Sequence, residues 1–585
     1  MRRLLLVLLV VACRRSEPQP RPHTEAPPAA PADAAPAVAT APVYRTDKSS
    51  FHVEPKVAGT GKTSMVASED RYASQAGEDV LKNGGNAVDA AVATAFTLAV
   101  THPSAGNLAG GGFAVVRIGK GQAMALDFRE TAPAAATADM FLDVNGKPTD
   151  QSLSGDRACG VPGSVAGLYE LHHKYGKAKW ADLIAPAIKL AREGFAVDEY
   201  LHRSLVRVLK DRGSITTAQL WWPGGKPVEV GTVVKNPELA IVLERIATLG
   251  PDGFYKGDTA KAILAEMEHG KGIITAADLA GYKAVWREPL RSTYRGKKLI
   301  TMPPPSSGGI VLTMTANMLK NVELGKLEWH GADHLHAIVE VWRRGFAARN
   351  EVLGDPAYVK EMPLKKLLSQ DYADQLAKTI ADKATPSKDI TGLIEGNHTT
   401  NLSVVDKNGM AVAMTTTLNT SFGNVVQVSG FLLNNEMDDF AAKPGSPNVY
   451  GLVQGSANKI EPGKRMLSSM SPSILEDDKG ELFMVVGGQG GPRIITEVWQ
   501  TISNVVDFGM PVAAAVAAPR FHHQHLPDDV AIEEDSITEA TAKTLEAKGY
   551  KLKWGSYGSC NAIVRTPDGW QGAADPRGGG AAIGD

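Results

Sequence analysis

The stretch from His398 to Asn419 constrains this 585-residue chain more than any other. Two runs of apolar and β-branched residues, Thr399–Val405 and Met410–Leu418, flank a turn built from Asp406, Lys407, Asn408 and Gly409. That is the pattern of a β-hairpin. With Lys407-Asn408 in a type I turn and Gly409 in the left-handed bulge position, Asp406 pairs near Met410. Thr399 then falls opposite Thr417, with Asn419 just beyond on the same face. A plain two-residue Asn-Gly turn would set Thr399 opposite Leu418 instead, and the hydroxyl pair would be lost. The bulged register is the expectation, because it brings three polar side chains to one strand end. Threonine is also an ordinary strand residue, so the hairpin alone makes no site; its neighbours decide.

Those neighbours form ordered blocks. Upstream lies Leu126–Pro133 with Arg129. Downstream come Asn419–Gly423, Leu432–Phe440 with Glu436, Asp438 and Asp439, Pro447–Leu452 with Tyr450, Met466–Pro472 with Ser468 and Ser469, and Gly487-Gly488-Gln489-Gly490-Gly491. From about Val66 to Asp585 the set resembles the γ-glutamyltranspeptidase family of N-terminal nucleophile hydrolases. The resemblance implies an α+β fold, a four-layer αββα sandwich with two central antiparallel sheets flanked by helices. It also implies self-cleavage between His398 and Thr399, giving a large subunit (46–398) and a small catalytic subunit (399–585) that stay together as a heterodimer, one intertwined domain.

The chemistry explains why a threonine must become a chain end. A hydroxyl is a poor nucleophile without a base, and an internal Thr399 offers only an amide nitrogen. Cleavage frees an α-amine whose ordinary pKa is about 7.7–8.0, basic enough to act near neutrality. By the resemblance, Thr417 hydrogen-bonds the nucleophile and assists processing. Gly490 and Gly491 supply oxyanion-hole N–H groups. Arg129, Ser468 and Ser469 hold the α-carboxylate of a γ-glutamyl substrate, and Asn419, Glu436 and Asp439 receive its ammonium. A bland alternative for Arg129 is a structural salt bridge with Glu130 or another acid. Residues 438–465, with Tyr450, resemble a lid loop, which favours small γ-glutamyl donors such as glutathione. The acyl group passes to water or to an amino-acid or dipeptide acceptor. Acyl transfer from an amide needs no metal or organic cofactor.

Met1-Arg2-Arg3 followed by the apolar run Leu4–Ala12 reads as an export signal, too short to span a bilayer as a mature helix. It ends at Cys13, resembling a bacterial lipoprotein signal. Residues 1–13 are then removed or lipid-linked at Cys13, and Arg14 points to the outer membrane of a Gram-negative cell, on the periplasmic side. Residues 14–45 are Pro- and Ala-rich and read as a tether. Lys and Arg (62) nearly balance Asp and Glu (64), so no basic excess suggests nucleic acid. Of three cysteines, Cys159 and Cys560 either pair or stand as two buried thiols. His330, His334, His522, His523 and His525 lack a zinc-site pattern and read as structural or surface residues.

Helical spacing is expected over Ala73–Asn83, Ala87–Val100, Gly163–Tyr175, Trp180–Glu193, Pro237–Leu249, Thr259–His269, Val311–Met318, Ala332–Glu351, Ile494–Phe508, Val512–Ala518 and Thr538–Lys548. Strands are expected at Phe113–Ile118, Ala123–Phe128, Lys298–Met302, Gly430–Leu433, Ser473–Glu476 and Leu482–Gly487, with two more near the end. The Ser104–Gly112 turn lacks a P-loop lysine, and its glycines read as close backbone packing around a site. Two other readings stand beside the first. A cephalosporin-acylase-like amidase on the same scaffold is disfavoured by Arg129, the paired serines and the lid. A non-catalytic surface lipoprotein is disfavoured by the presence of Thr399.

Overall fold

The computed structural model describes residues 58–389, 399–444, 455–555 and 557–585. Within them, two seven-stranded antiparallel sheets pack face to face. The first runs Ala581–Gly584, Met65–Ser68, Thr400–Val405, Ala411–Thr417, Gly111–Gly119, Gln122–Asp127, Val285–Arg287. The second runs Ala58–Gly61, Gly569–Ala573, Ser559–Thr566, Leu482–Gln489, Ser473–Glu476, Lys297–Thr301, Leu290–Tyr294.

The hairpin occupies the middle of the first sheet, in the bulged register. The Asp406 N–H donates to the Met410 carbonyl at 3.0 Å, and Gly409 sits at φ 76°. Thr400 pairs with Thr416 and Val405 with Ala411, so the ladder carries Thr399 on to face Thr417. Asp406 holds the turn by accepting from the N–H groups of Asn408 (2.8 Å) and Met410 (3.1 Å). Its other oxygen accepts from Ala87 N–H at 3.1 Å, tying the hairpin to a helix start.

Both faces of these strands are buried. Leu402, Val404, Val412 and Met414 pack against a helical layer that includes Arg71–Lys82 and Ala87–Thr101. Val405, Ala411 and Ala413 face the second sheet. Burying each large aliphatic stabilises by about 1.5–3 kcal/mol, so a one-residue slip that exchanged the two faces would cost several such terms. The Ala87–Thr101 helix is buried along its whole length, as its Ala- and Val-rich composition requires. Asn86 and Asp89 close its first turn as a capping box. On the far side of the second sheet lie helices Gly308–Met318, Ala332–Val352 and Arg493–Val506. The layers are therefore helix, sheet, sheet, helix, the αββα sandwich.

The departures from expectation include three that bear on the site or its sheets. Glu199–Arg212 is a helix that the sequence reading passed over. Gly111 and Gly112 belong to a strand rather than to the preceding turn. Four late strands form instead of two, Leu552–Trp554, Ser559–Thr566, Gly569–Ala573 and Ala581–Gly584; the last follows a Gly-rich run and completes an edge of the first sheet. The close-packing reading of the glycines holds. A Cβ on Gly110 would lie 1.9 Å from the Thr417 carbonyl oxygen, and one on Gly112 2.3 Å from that of Thr415.

Candidate active site

Thr399 and Thr417 sit where the hairpin strands end, at the edge of the space between the sheets. Thr399 is 4% exposed and lines a small pocket. The Thr417 hydroxyl accepts from Asn419 N–H at 2.7 Å. Asn419 reaches this position with φ 73°, a conformation asparagine tolerates, and its amide donates to the Asn435 carbonyl at 2.9 Å. Asn107, which sequence reasoning missed, clamps the strand end: its amide nitrogen donates to the Thr417 carbonyl and the Thr416 hydroxyl, both at 2.9 Å.

Beside the threonines lies a buried charge cluster. Arg129 follows the Gln122–Asp127 strand, and Glu436 and Asp439 come from one short 3₁₀ turn. One guanidinium nitrogen of Arg129 binds Glu436 and the other binds Asp439, while Glu130 lies 3.5 Å away. Three acids thus surround one arginine. Burial pushes the carboxyls of Glu436, Asp439 and Glu130 above the usual range, against the pull of Arg129. Burial alone would lower the Arg129 pKa, but Glu436, Asp439 and Glu130 outweigh it and raise it. The ion pairs that the structural alternative expects of Arg129 are present, to Glu130 and, shorter, to Glu436 and Asp439.

The double serine closes another wall. The Ser468 hydroxyl accepts from Met470 N–H at 3.2 Å. The Ser469 hydroxyl accepts from the Arg349 guanidinium at 3.3 Å. Arg349 was not singled out in the sequence, yet it is fully buried, and it also donates to Ser307 Oγ at 2.9 Å. A signal was there. Leu335, Ile338, Trp342, Gly345 and Arg349 fall on one helical stripe, so the arginine interrupts an apolar face.

Across from the threonines, strand Leu482–Gln489 ends in Gly490 and Gly491 and turns into helix Arg493–Val506. Gly490 has φ 141° and Gly491 φ 61°, which only glycine takes readily. The pocket is lined by Thr399, Thr417, Asn419, Arg129, Glu436, Asp439, Ser468, Ser469 and Gly491, joined by Met470 and Ile494. Gly490 instead lines an adjoining cleft across the same loop. Only about 20 Å³ of the pocket is open. A ligand bearing a carboxylate and an ammonium must therefore part Arg129 from its acids and take over both halves of the pair.

His398, Tyr450, Cys13 and the 14–45 tether lie outside the described residues. Cys159 and Cys560 are separate buried thiols; Asn424 donates to Cys159, and Cys560 to the Gly487 carbonyl. His330, His334, His522, His523 and His525 are all buried, and burial pushes the His334 and His523 imidazoles down to about 3 and about 4.

Comparison with known proteins bears on this pocket. The gamma-glutamyltranspeptidase family model matches residues 73–585. The glutathione hydrolase proenzyme of Escherichia coli K12 is 48% identical over 532 residues, 88% of this chain and 90% of its own. That of Pseudomonas aeruginosa PAO1 is 44% identical over 531 residues, 88% of this chain and 94% of its own. Among solved structures, a cephalosporin acylase from Bacillus halodurans superposes with a TM-score of 0.79 at 27% identity, covering 92% of this chain and 99% of that one.

Proposed function

Because the chain belongs to the gamma-glutamyltranspeptidase family, we propose that it cleaves itself between His398 and Thr399 and transfers γ-glutamyl groups from Thr399. The chain is an autoprocessed γ-glutamyltransferase and glutathione hydrolase; the residue assignments are our reading. The observation that carries them is the single pocket holding the hairpin-end threonines, the Arg129–Glu436–Asp439 cluster, the double serine and Gly491.

In this reading Arg129 grips the substrate α-carboxylate with its planar fork, helped by Ser468 and Ser469. Glu436, Asp439 and Asn419 accept hydrogen bonds from the α-ammonium. Binding exchanges one set of buried charge pairs for another, so desolvation is compensated on both sides. The Thr399 hydroxyl attacks the γ-carbonyl and gives its proton to the Thr399 α-amine. The oxyanion rests on Gly490 and Gly491 N–H groups. The C–N bond breaks, the amine leaves with that proton, and a γ-glutamyl ester remains. Water or an acceptor amine then attacks the ester, and a proton returns to Thr399 Oγ. Thr417 orients the hydroxyl, a role that follows from the register.

The acylase reading shares the fold, but the acid–arginine cluster suits an amino-acid head rather than a bulky apolar acyl group. Tyr450 and the lid give a second reason to expect small donors such as glutathione. Purified enzyme should release nitroaniline from γ-glutamyl-p-nitroanilide and run as two bands. Thr399→Ala should run as one band without turnover, and turnover by the uncleaved chain would overturn the assignment.

We further propose export with lipid attachment at Cys13, the 14–45 tether standing the enzyme off the outer membrane. Its support is the Arg2-Arg3, Leu4–Ala12, Cys13 sequence. Detergent but not salt should release the enzyme from membranes; a freely soluble mature protein retaining no lipid would refute this.

A further inference from the structure

The Thr399 hydroxyl and the Gly490 and Gly491 N–H groups belong to different sheets. Thr399 leads into strand Thr400–Val405 of the first sheet, and Gly490 follows strand Leu482–Gln489 of the second. Apolar packing is non-directional, so contact between the sheets does not by itself fix how far apart these groups stand. Close to the site the packing changes character. Val405, Ala411 and Ala413 fill the inter-sheet space further along, whereas Asn401 and Ser403 meet the second sheet nearer Thr399. Asn401 lies two residues past Thr399, on the same face of the strand.

Three fully buried polar side chains come together there: Asn401 from the first sheet, Asn561 from the second, and Glu69 just beyond strand Met65–Ser68. The Asn401 and Asn561 amides both donate to Glu69 Oε1, at 3.0 and 2.8 Å. The Asn561 amide also reaches Asn401, donating to its Oδ1 at 3.1 Å and its carbonyl at 3.2 Å. Ser403 Oγ adds a second crossing, donating to the Asn561 carbonyl at 3.3 Å. On the far side, Asn561 pairs with Gly487 and Ser559 with Gln489 along the strand that ends at Gly490. The Gln489 amide donates to Ser559 Oγ at 2.5 Å and to the Tyr200 hydroxyl at 3.4 Å. A continuous run of hydrogen bonds and strand pairing thus leads from Asn401 to the residue before Gly490.

This arrangement carries a stability cost. Asn561 Oδ1 has no hydrogen-bond partner among the described residues. Burial, with Asp575 and Glu497 adding, pushes the Glu69 carboxyl up to about 8 against hydrogen bonds from Ser559 and Asn561. Asp575 is itself held by Arg520 at 2.5 Å and Arg577 at 2.9 Å. Well-packed apolar side chains would join the sheets at least as firmly. What directional bonds add is a fixed spacing.

Resting on the function proposed above, we propose that Glu69, with Asn401 and Asn561, is a positioning group for acyl transfer. It pins the strand bearing Thr399 to the strand bearing Gly490, so that nucleophile and oxyanion donors keep the spacing the tetrahedral intermediate requires. The walls that take the glutamyl head are other residues, Arg129, Glu436, Asp439, Ser468 and Ser469. Loss of the pin should therefore lower kcat and leave head-group binding in place.

The test follows hydrolysis of γ-glutamyl-p-nitroanilide per processed enzyme, with L-glutamate as a competitive inhibitor that reports on the head-group walls. Glu69→Ala should lower kcat about 10- to 100-fold, while Ki for glutamate moves less than about twofold. Glu69→Gln keeps an acceptor for both asparagine amides and should recover most of that loss. Ser559→Ala, a smaller change further along the run, should lower kcat about threefold to tenfold with the same constant Ki. The Glu69→Ala/Ser559→Ala variant should lose less than the product of the two single losses. If Glu69→Ala yields no processed enzyme, the split between kcat and Ki in Ser559→Ala decides. Unchanged kcat, kcat and Ki moving together, no recovery in Glu69→Gln, or losses that simply multiply would each overturn the proposal. A wild type that releases no nitroaniline sinks the parent reading and this one with it; wild-type turnover with unmoved variants sinks only this one.

Discussion

Arg349 reaches Ser469 from inside a helix, its guanidinium 3.3 Å from the serine hydroxyl; burial raises the pKa of nearby Asp439, and the Arg349 charge, after that of Arg129, opposes the rise. It touches the pocket wall rather than the pocket, so it is a positioning residue. Arg349→Lys should keep the charge and lose the fork, raising KM for γ-glutamyl donors about fivefold to tenfold while kcat falls less. Arg349→Met should also lower stability by about 3 kcal/mol or more, because Ser307, Asn350 and Ser469 lose a buried partner. Steady-state kinetics with thermal unfolding separates the two effects.

Arg129 faces three acids, so its loss differs from its replacement. Arg129→Ala leaves Glu130, Glu436 and Asp439 buried together and should destabilise by about 3–5 kcal/mol. Arg129→Lys preserves the charge, should stay within about 2 kcal/mol of the wild type, and should still raise donor KM by about 10- to 100-fold. Denaturant unfolding and donor kinetics on both variants check this.

Much of this site is legible along the chain because short blocks carry it. Gly409 after Asp406-Lys407-Asn408 set the hairpin register, and the register set Thr399 against Thr417. Residues that act through a long helix were harder to find. Arg349 lies more than a hundred positions from Ser469, and only its place on an apolar stripe marked it. The Glu199–Arg212 helix carried ordinary marks, an Asp198 cap and Leu201, Leu205 and Val208 at helical spacing. Its closeness to the Gly490 loop is a tertiary fact, made by Tyr200 and Gln489. The direct pairing of Arg129 with Glu436 and Asp439 was also invisible, since the sequence supplied those residues for opposite ends of a ligand.

Gly110 allows the Thr417 strand end to approach its neighbour. Gly110→Ala would place a methyl 1.9 Å from the Thr417 carbonyl oxygen, and backbone must move. The variant should lose about 2–4 kcal/mol of stability and accumulate uncleaved precursor, visible as one band on a denaturing gel.

Glu69 couples the inter-sheet space to pH. Its carboxylate accepts from Asn401 at 3.0 Å and Asn561 at 2.8 Å, and burial, with Asp575 and Glu497 adding, pushes its pKa up to about 8. Unfolded, it would titrate near 4.3. The folded chain therefore binds the extra proton between about pH 4.3 and 8, and stability falls as pH rises through that window. Glu69→Gln should flatten this decline by on the order of 2 kcal/mol. Melting temperatures of both proteins at pH 5 and pH 8 measure it; an unchanged slope contradicts the assignment.

The account turns on Thr399 becoming a chain end that carries the substrate's acyl group. Intact-mass and fragment analysis of enzyme quenched in acid during turnover of a γ-glutamyl donor reads this directly. The prediction is a C-terminal segment of about 20 kDa, at roughly 110 Da per residue, beginning at Thr399 and bearing one glutamyl group on that first residue. A segment beginning elsewhere, or a glutamyl group on another side chain, would contradict it.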